Sequence, residues 1–464
     1  MRIAFVQCPA YGIDAPPVGI AYLSSFLRSK GYETKVFDFN IEIYNQTDKK
    51  DLWGPWQLNL WFDKEKVASF SFFSEKLFLK MAKQLIDYKA EVVCFSIHST
   101  SVLFSIELAK KIRILDRTKI IIFGGPSSFK KYSQKGFTTD CDIHRYADAL
   151  VTGEGEKTLL SLIKQIEKKG ELQGVKGTIV IKNGKIKEFP AREIITNLDE
   201  LPIPDYKEFN LGLYRDCQHG KIRLLSSRGC PNKCVFCTDT MIWQKYRTRS
   251  AENILKEFRL RKQQGFKFIE FNDSTLNGNL NVLSELCNLL LKENLSINWG
   301  GSARIEPRMS FAFLRKMRKA GCTFLNYGIE SASQRVLKKM NKHITVWGTS
   351  KTIIKTRLAG IKVYTNWIVG FPNESRIDFL KTLIFIIAHR AFIGDPNVAS
   401  CFINPHSIME KRPEKFNLTY DEQRNWHTNN MKNTLAERTL RFEIFLALSA
   451  MLGYNIKIKI KQEK

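Results

Sequence analysis

"SSRGCPNKCVFCTD", residues 226–239, places three cysteines, Cys230, Cys234 and Cys237, within eight positions. Three thiolates are one short of a closed tetrahedral zinc or iron–sulfur site, which takes four protein ligands. The stretch is therefore either a zinc knuckle that borrows a fourth ligand, with Cys217 and His219 near enough in sequence, or a site that leaves one metal position open. "KIRLLSSRG" (221–229) reads as a strand just ahead of the cysteines. That puts them on the loop at a strand's carboxyl end, the face on which barrels of parallel strands gather their active sites.

Downstream of the cysteines a theme repeats. "LRKQQGFKFIEFND" (260–273), "LRKMRKAGCTFLNYGIES" (314–331) and "IKTRLAGIKVYTNWIVGF" (354–371) each give a basic helix end, a glycine, a buried strand and then polar residues. "LLKENLSINWGGSARIEP" (290–307) is a copy without the glycine. Each copy is one helix-to-strand unit, so the segment predicts a run of parallel strands. With "KIRLLSSRG" first and "PNVASCFINP" (396–405) last there are about six units, too few to close an eight-stranded barrel, so a partial barrel open on one side is expected. The polar residues that end the strands share the cysteines' face: Asn272 and Asp273, Arg304, Glu330, then Gly370, Pro372 and Glu374. A structural zinc knuckle has no need of such a ring.

The N-terminal part also alternates. "RIAFVQC", "YETKVFDFN", "AEVVCFSIHS" and "KIIIFGGPSS" read as strands, and "VGIAYLSSFLRSKG" and "VLFSIELAKKIRIL" as helices. Apolar strands separated by helices imply a parallel sheet covered on both faces. Its turns ("CPAYG", "HSTS", "GGPSS", "GEGE") lie at strand carboxyl ends, where open α/β sheets bind ligands. The expected fold is thus α/β: a doubly wound, Rossmann-like sheet over 1–170, a connector over 171–220, a partial (β/α)6 barrel over 221–405, and a short, mostly helical tail over 406–464. The connector carries a hairpin turning at Asn183–Gly184 and a linker stiffened by Pro202 and Pro204. The terminal "IKIKIK" reads equally as an edge strand or a basic tail.

Composition narrows the setting. The chain has 464 residues and a net charge of +27, but the lysines are spread along it rather than blocked, as on solvated faces, which argues against nucleic acid as the partner. The seven cysteines outside the cluster are scattered singly, as buried thiols in a reducing compartment are. No leader pattern opens the sequence, and its apolar runs are shorter than the ~20 residues of a membrane span, so the expectation is a soluble, cytoplasmic protein.

The C-x3-C-x-aromatic-C spacing, on the first strand of a six-unit barrel, resembles the motif of the radical S-adenosylmethionine (SAM) enzymes. "KYRTRSAENILKEFR", "FIEFNDSTLN", "YGIESAS" and "VGFPNES" resemble the segments that follow it in the branch with an N-terminal cobalamin-binding-like domain. "PPVGIAYLSSFLRSKGYETKVFDFN", "FGGPSS" and "ADALVTGEGE" resemble that domain, in order. The resemblance implies that Cys230, Cys234 and Cys237 ligate a [4Fe-4S] cluster shielded by Phe236, with SAM on the open iron. It places Asn272 and Asp273 near the SAM amino group, Arg304 at its carboxylate, Glu330 near the ribose or methionine part, and Gly370 with Pro372 against the adenine. The alternative for Arg304 and Glu330 is an ion pair across the barrel mouth.

The implied activity is reductive cleavage of SAM to a 5′-deoxyadenosyl radical, used for cobalamin-dependent methylation of an unactivated carbon in a small-molecule or peptide substrate. An electron donor such as flavodoxin or ferredoxin would drive it. Ring closure or rearrangement without methyl transfer, tRNA methylthiolation, and a corrinoid-binding protein with a structural metal are the alternatives. The methylthiotransferase reading lacks its three N-terminal cysteines in pattern. Many cobalamin domains supply a loop histidine that the radical SAM branch commonly lacks, and "CPAYGIDAPP" (8–17) has none. His98 lacks the flanking Asp and Gly of that motif and reads as a core or turn histidine. Cobalamin would then rest on backbone turns, Gly124–Gly125 and Gly153–Gly155.

Overall fold

A computed structural model of the chain describes residues 1–126, 143–182, 184–404, 406–421 and 425–455. Asn183 of the hairpin turn, Ser127 and Ser128 of "FGGPSS", and the "IKIKIK" segment lie outside the described residues. The chain divides into two compact units, Met1–Arg223 and Leu224–Lys464.

The first unit is built on a seven-stranded sheet: β1 (Arg2–Gln7), β2 (Glu33–Asp38), β3 (Val92–Ser96), β4 (Ile120–Gly124), β5 (Ala149–Val151), β6 (Thr178–Lys182) and β7 (Lys185–Glu188). Their order is β2-β1-β3-β4-β5-β6-β7. The first five are parallel, and the 171–220 hairpin adds β6 and β7 antiparallel at one edge. Helices Val18–Arg28, Glu75–Asp87, Val102–Leu115 and Gly155–Lys169 connect the strands. Ile3, Val6, Val93, Phe95, Ile121 and Phe123 are buried, which is why these strands read as continuous apolar runs. Phe95 and Phe123 stack across β3 and β4 with ring centroids 4.8 Å apart. The chain leaves β1 toward β2 on one side and returns to β3 on the other, a doubly wound switch point.

One expected strand ends early. β2 stops at Asp38, whose carboxylate accepts the amide of Ile41 at 3.0 Å and caps the helix Phe39–Gln46. The N-cap overrides the apolar pattern that suggested extended chain through Asn40.

The second sheet has six strands: β8 (Lys221–Leu224), β11 (Phe268–Phe271), β12 (Asn298–Ala303), β13 (Cys322–Glu330), β14 (Lys362–Val369) and β15 (Pro396–Ser400). Two short strands intervene in sequence, β9 (Ser227–Arg228) and β10 (Arg247–Thr248), paired with each other. The order is β15-β14-β13-β12-β11-β8, so β8 and β15 are edges and the barrel stays open, as the count of units predicts. The pairings from β11 to β15 are parallel. Gly300 permits the closest strand approach: a Cβ there would lie 2.5 Å from the Phe324 ring. The tail adds a hairpin of β16 (Leu418–Tyr420) and β17 (Trp426–Thr428) and the helix Leu435–Met451. Among the described residues no helix is long and apolar enough to cross a membrane.

Candidate active site

The cysteine loop is held from three directions. Behind it, the buried carboxylate of Asp273 accepts the Ser226 amide at 3.1 Å, the Ser226 hydroxyl at 3.0 Å and the Ser227 hydroxyl. Burial pushes this carboxyl up to about 6, against the pull of those donors. Beneath, Glu257 sits between two buried guanidiniums, Arg249 at 2.5 Å and Arg261 at 2.8 Å. Arg249 also donates to the carbonyl of Leu225 at 3.1 Å.

From the front, the turn after the helix Gln334–Lys339 grips the loop: Val235 N donates to Met340 O at 3.1 Å and Asn341 Nδ2 to Lys233 O at 2.9 Å. The start of the tail completes the grip, with Asn404 Nδ2 on Phe236 O at 3.0 Å and Met409 N on Val235 O at 3.1 Å.

Within this frame Cys234 is buried and Cys230 and Cys237 are half-buried, all three as free thiols. Burial raises each pKa, that of Cys237 to about 12, and for Cys234 and Cys237 the charge of the neighbouring thiolates raises it further. A metal must displace the protons of these thiols to bind. Two cations offset the repulsion. The charges of Arg304 and Lys342 both lower the pKa of Cys230 and Cys234.

Lys342 is the residue that motif reading overlooks. Its Nζ lies 2.8 Å from Glu330 Oε1 and 5.6 Å from the Phe236 ring centroid. Burial works against the ammonium, but Glu330 and the thiolates of Cys234 and Cys237 outweigh it, and its pKa ends above the usual lysine value. Glu330 itself is buried at the end of β13 with φ 73°, a left-handed conformation that a non-glycine residue holds only where its surroundings enforce it. Arg304 does not pair with Glu330. Its nearest carboxylate is Glu306, at 4.0 Å, and its buried Nε has no partner. The expected alternative of an Arg304–Glu330 ion pair is therefore replaced by two separate pairs. Asn272 is exposed, its amide bonded to Leu224 O at 2.7 Å.

Gly370 follows β14 with φ 73°, and a Cβ there would meet Arg438 Cγ at 2.4 Å. The turn is clamped by the tail: Asn433 Nδ2 donates to the carbonyls of Gly370 and Phe371 at 2.9 and 3.0 Å. Glu374 accepts the Gly370 amide at 2.7 Å and the Arg441 guanidinium at 2.9 Å. Arg438, also buried, stacks 3.7 Å over Trp426. Pro372 is buried in the same turn.

These side chains fit an open-iron cluster with SAM. The loop carries three thiols and an aromatic side chain, with two cations and an orphaned buried donor on Arg304 beside it. The zinc reading needs a compact ligand set, and among the described residues no three Cys, His, Asp or Glu side chains are grouped to hold a single ion. Residues 224–386 match the family model described as the radical SAM superfamily. This segment is a radical SAM domain.

In the N-terminal unit, glycine turns follow the strands that lead toward the expected corrinoid face. Gly125 (φ 104°) lies so close to Ile97 O that a Cβ would stand 2.7 Å from it, while the Cβ position of Gly153 faces open space. Gly124 ends β4, and Gly155 opens the helix Gly155–Lys169 at the end of β5. Gln7 Oε1, at the end of β1, is buried and unpartnered. His98 lies against Tyr11 with ring centroids 4.6 Å apart and the rings tilted, and burial drives its imidazole down to about 4. Gly125 is thus required by its own packing on Ile97, while the turn at Gly153 is open and no imidazole side chain stands in it.

The radical SAM domain and its N-terminal unit recur together in known proteins. The chain is 27% identical over 378 residues to an uncharacterised methyltransferase of Pyrococcus horikoshii, covering 81% of this chain and 73% of that protein. It is 28% identical over 239 residues to the anaerobic magnesium-protoporphyrin IX monomethyl ester cyclase of Rubrivivax gelatinosus, covering 50% of this chain but only 43% of the cyclase. In fold it is similar to TsrM of Kitasatospora setae, a radical SAM methyltransferase whose structure holds cobalamin and a [4Fe-4S] cluster. The TM-score is 0.68 at 17% identity, over 95% of this chain and 85% of that one. The likeness shows the fold: a partial parallel barrel together with a Rossmann-like N-terminal unit.

Proposed function

We propose that this chain is a cobalamin-dependent radical SAM methyltransferase acting on an unactivated carbon of a small molecule or peptide. The observation that carries the radical SAM part is the loop of Cys230, Cys234 and Cys237, gripped by Met340, Asn341 and Asn404 with the cations of Lys342 and Arg304 beside it. The methyl-transfer part is supported by fold likeness along nearly the whole chain to a methyltransferase and by a methyltransferase relative over most of its length.

When bound, the cluster supplies the electron that cleaves SAM and the corrinoid supplies a methyl carrier. The chain's own residues position and shield. The three cysteines hold the iron, and Phe236 covers one side of the loop. Arg304 offers its free Nε to the SAM carboxylate, Glu330 is fixed by Lys342 to meet the ribose or methionine part, and the Gly370–Pro372 turn is braced for the adenine. Gly124, Gly125, Gly153 and Gly155 offer backbone to the corrinoid.

Anaerobic purification from cobalamin-fed cells tests the proposal through metal content. Iron near one cluster and cobalt near one atom per chain are expected, with the iron lost when all three cysteines become alanine. A second reading, ring closure without methyl transfer, is favoured by the cyclase relative. Cobalt-free turnover of substrate with 5′-deoxyadenosine release would select it over methylation.

A further inference from the structure

The helices Arg376–Ala388 and Leu435–Met451 lie side by side in the second unit. Arg376 Nε stands 3.7 Å from Glu437 Oε1 near their starts, and Arg390 donates to the carbonyl of Leu452 near their ends, so they run parallel. Both bury one face on Trp367 of β14, through Phe385 at 5.8 Å and Phe445 at 6.5 Å between ring centroids. Their opposite faces point outward together, and those faces are apolar.

On the first helix Ile377, Leu380, Ile384 and Ile387 are 65%, 52%, 63% and 49% exposed. On the second Leu440, Ile444 and Met451 are 51%, 40% and 84% exposed, with exposed Ala447 between them. The spacings are three–four–three and four–three–four, the seam pattern of helices that pack against helices. With Leu435 these side chains leave on the order of 800 Å² open, more than a monomer usually shows and about what each partner of a standard interface buries.

The charges on this face complement each other. The first helix exposes Lys381 and the second exposes Glu443, and neither has an ion-pair partner among the described residues. A two-fold axis that lays the first helix of one copy along the second helix of the other brings these opposite charges together, as self-complementary interfaces require. An anionic lipid surface would match Lys381 but oppose Glu443, whereas a second copy satisfies both.

We propose that this helix pair is the interface of a homodimer, in which the two parallel helices of each copy form a four-helix packing across a two-fold axis. The occupant is a second copy of this chain.

Sedimentation equilibrium of the full-length protein and its Ile384→Glu variant tests this. A dimer is expected for the native chain. The variant, with a charge placed on an exposed position that the fold does not bury, should self-associate at least tenfold more weakly while keeping its circular dichroism and melting temperature. Lys381→Glu should weaken the dimer and Lys381→Glu/Glu443→Lys should restore it. A native monomer at all concentrations, or a dimer that Ile384→Glu leaves intact, overturns the proposal. Two further outcomes overturn it by naming another occupant. One is a chain ending at Asn455 that dimerises when the full chain does not. The other is a native monomer that co-sediments with phosphatidylglycerol vesicles through Ile384.

Discussion

Lys342 Nζ lies 2.8 Å from Glu330 Oε1, and the two side chains are each 11% exposed, so one ion pair links the end of β13 to the cysteine loop. The ammonium serves two neighbours. It neutralises a carboxylate held at φ 73°, a conformation that costs roughly 1–3 kcal/mol, and it projects positive charge toward Cys234 and Cys237. Lys342→Met leaves Glu330 buried and unpaired, a loss of about 3–5 kcal/mol. The three cysteines should still retain iron, but the reduction potential of the reconstituted cluster should fall, because the added electron loses a nearby cation. A redox titration followed by electron paramagnetic resonance measures the potential, and Lys342→Arg should return most of it. An unchanged potential in Lys342→Met would limit the lysine to stabilising Glu330.

The tail braces the turn after β14. Gly370 combines a positive φ with a Cβ position 2.4 Å from Arg438 Cγ, so Gly370→Ala should be strained twice over and cost roughly 1–3 kcal/mol or more. Asn433→Ala strips two donors from the Gly370 and Phe371 carbonyls, about 1–3 kcal/mol if they stay buried. Equilibrium dialysis of SAM against the anaerobic, iron-loaded protein should show weaker binding in both variants, by tenfold or more for Gly370→Ala. Lower melting with native SAM affinity would make the tail a stabilising strap and no part of the SAM site.

Glu257 is the hub under the cysteine loop. Its carboxylate balances Arg249 and Arg261, which are 4% and 0% exposed, so Glu257→Ala removes the negative charge from between two buried cations. A loss of about 3–5 kcal/mol is expected, together with lower iron uptake, since Arg249 also holds Leu225 O at the foot of the loop. Chemical denaturation and iron analysis of the same preparation would separate the two. A destabilised variant with full iron would show that the network supports the fold alone.

What could be read from the sequence was what local spacing encodes. The helix-glycine-strand rhythm from 260 to 371 marked β11, β13 and β14, its glycine-free copy marked β12, and Cys230, Cys234 and Cys237 stand on the loop after β8, as the strand "KIRLLSSRG" implied. Lys342 was not legible, because its partner Glu330 is twelve residues away across a helix and nothing in "MNKH" marks a buried ammonium. Asn433 and Arg438 were hidden for the same reason at longer range: they meet Gly370 from 63 and 68 residues downstream. Asp273, expected near the SAM amino group, holds the cysteine loop by accepting from Ser226 and Ser227, which its place after β11 does not reveal. Spacing shows which residues share a face, but only the packed chain shows which carboxylate has already been used.

Asp38 offers a test of buried electrostatics away from the metal loop. Its Oδ2 accepts the Tyr214 hydroxyl at 2.6 Å while Oδ1 caps Ile41, and burial lifts its pKa to about 6 from an ordinary value near 3.8. A carboxyl with a raised folded pKa binds a proton more readily in the native state than in the unfolded chain. Its contribution to stability is therefore fully present below pH 3.8 and is lost as pH rises through 6, on the order of 3 kcal/mol for a group this buried. Asp38→Asn keeps one oxygen, for the Ile41 amide, presents an NH2 to the tyrosine oxygen as its acceptor, and cannot ionise. The difference in unfolding free energy between the native protein and Asp38→Asn should favour the native protein progressively less from about pH 4 to pH 6 and then level off. Denaturant melts of the iron-free forms across that range give the curve directly. A flat difference would mean that Asp38 keeps its ordinary pKa, with the donors from Tyr214 and Ile41 fully offsetting its burial.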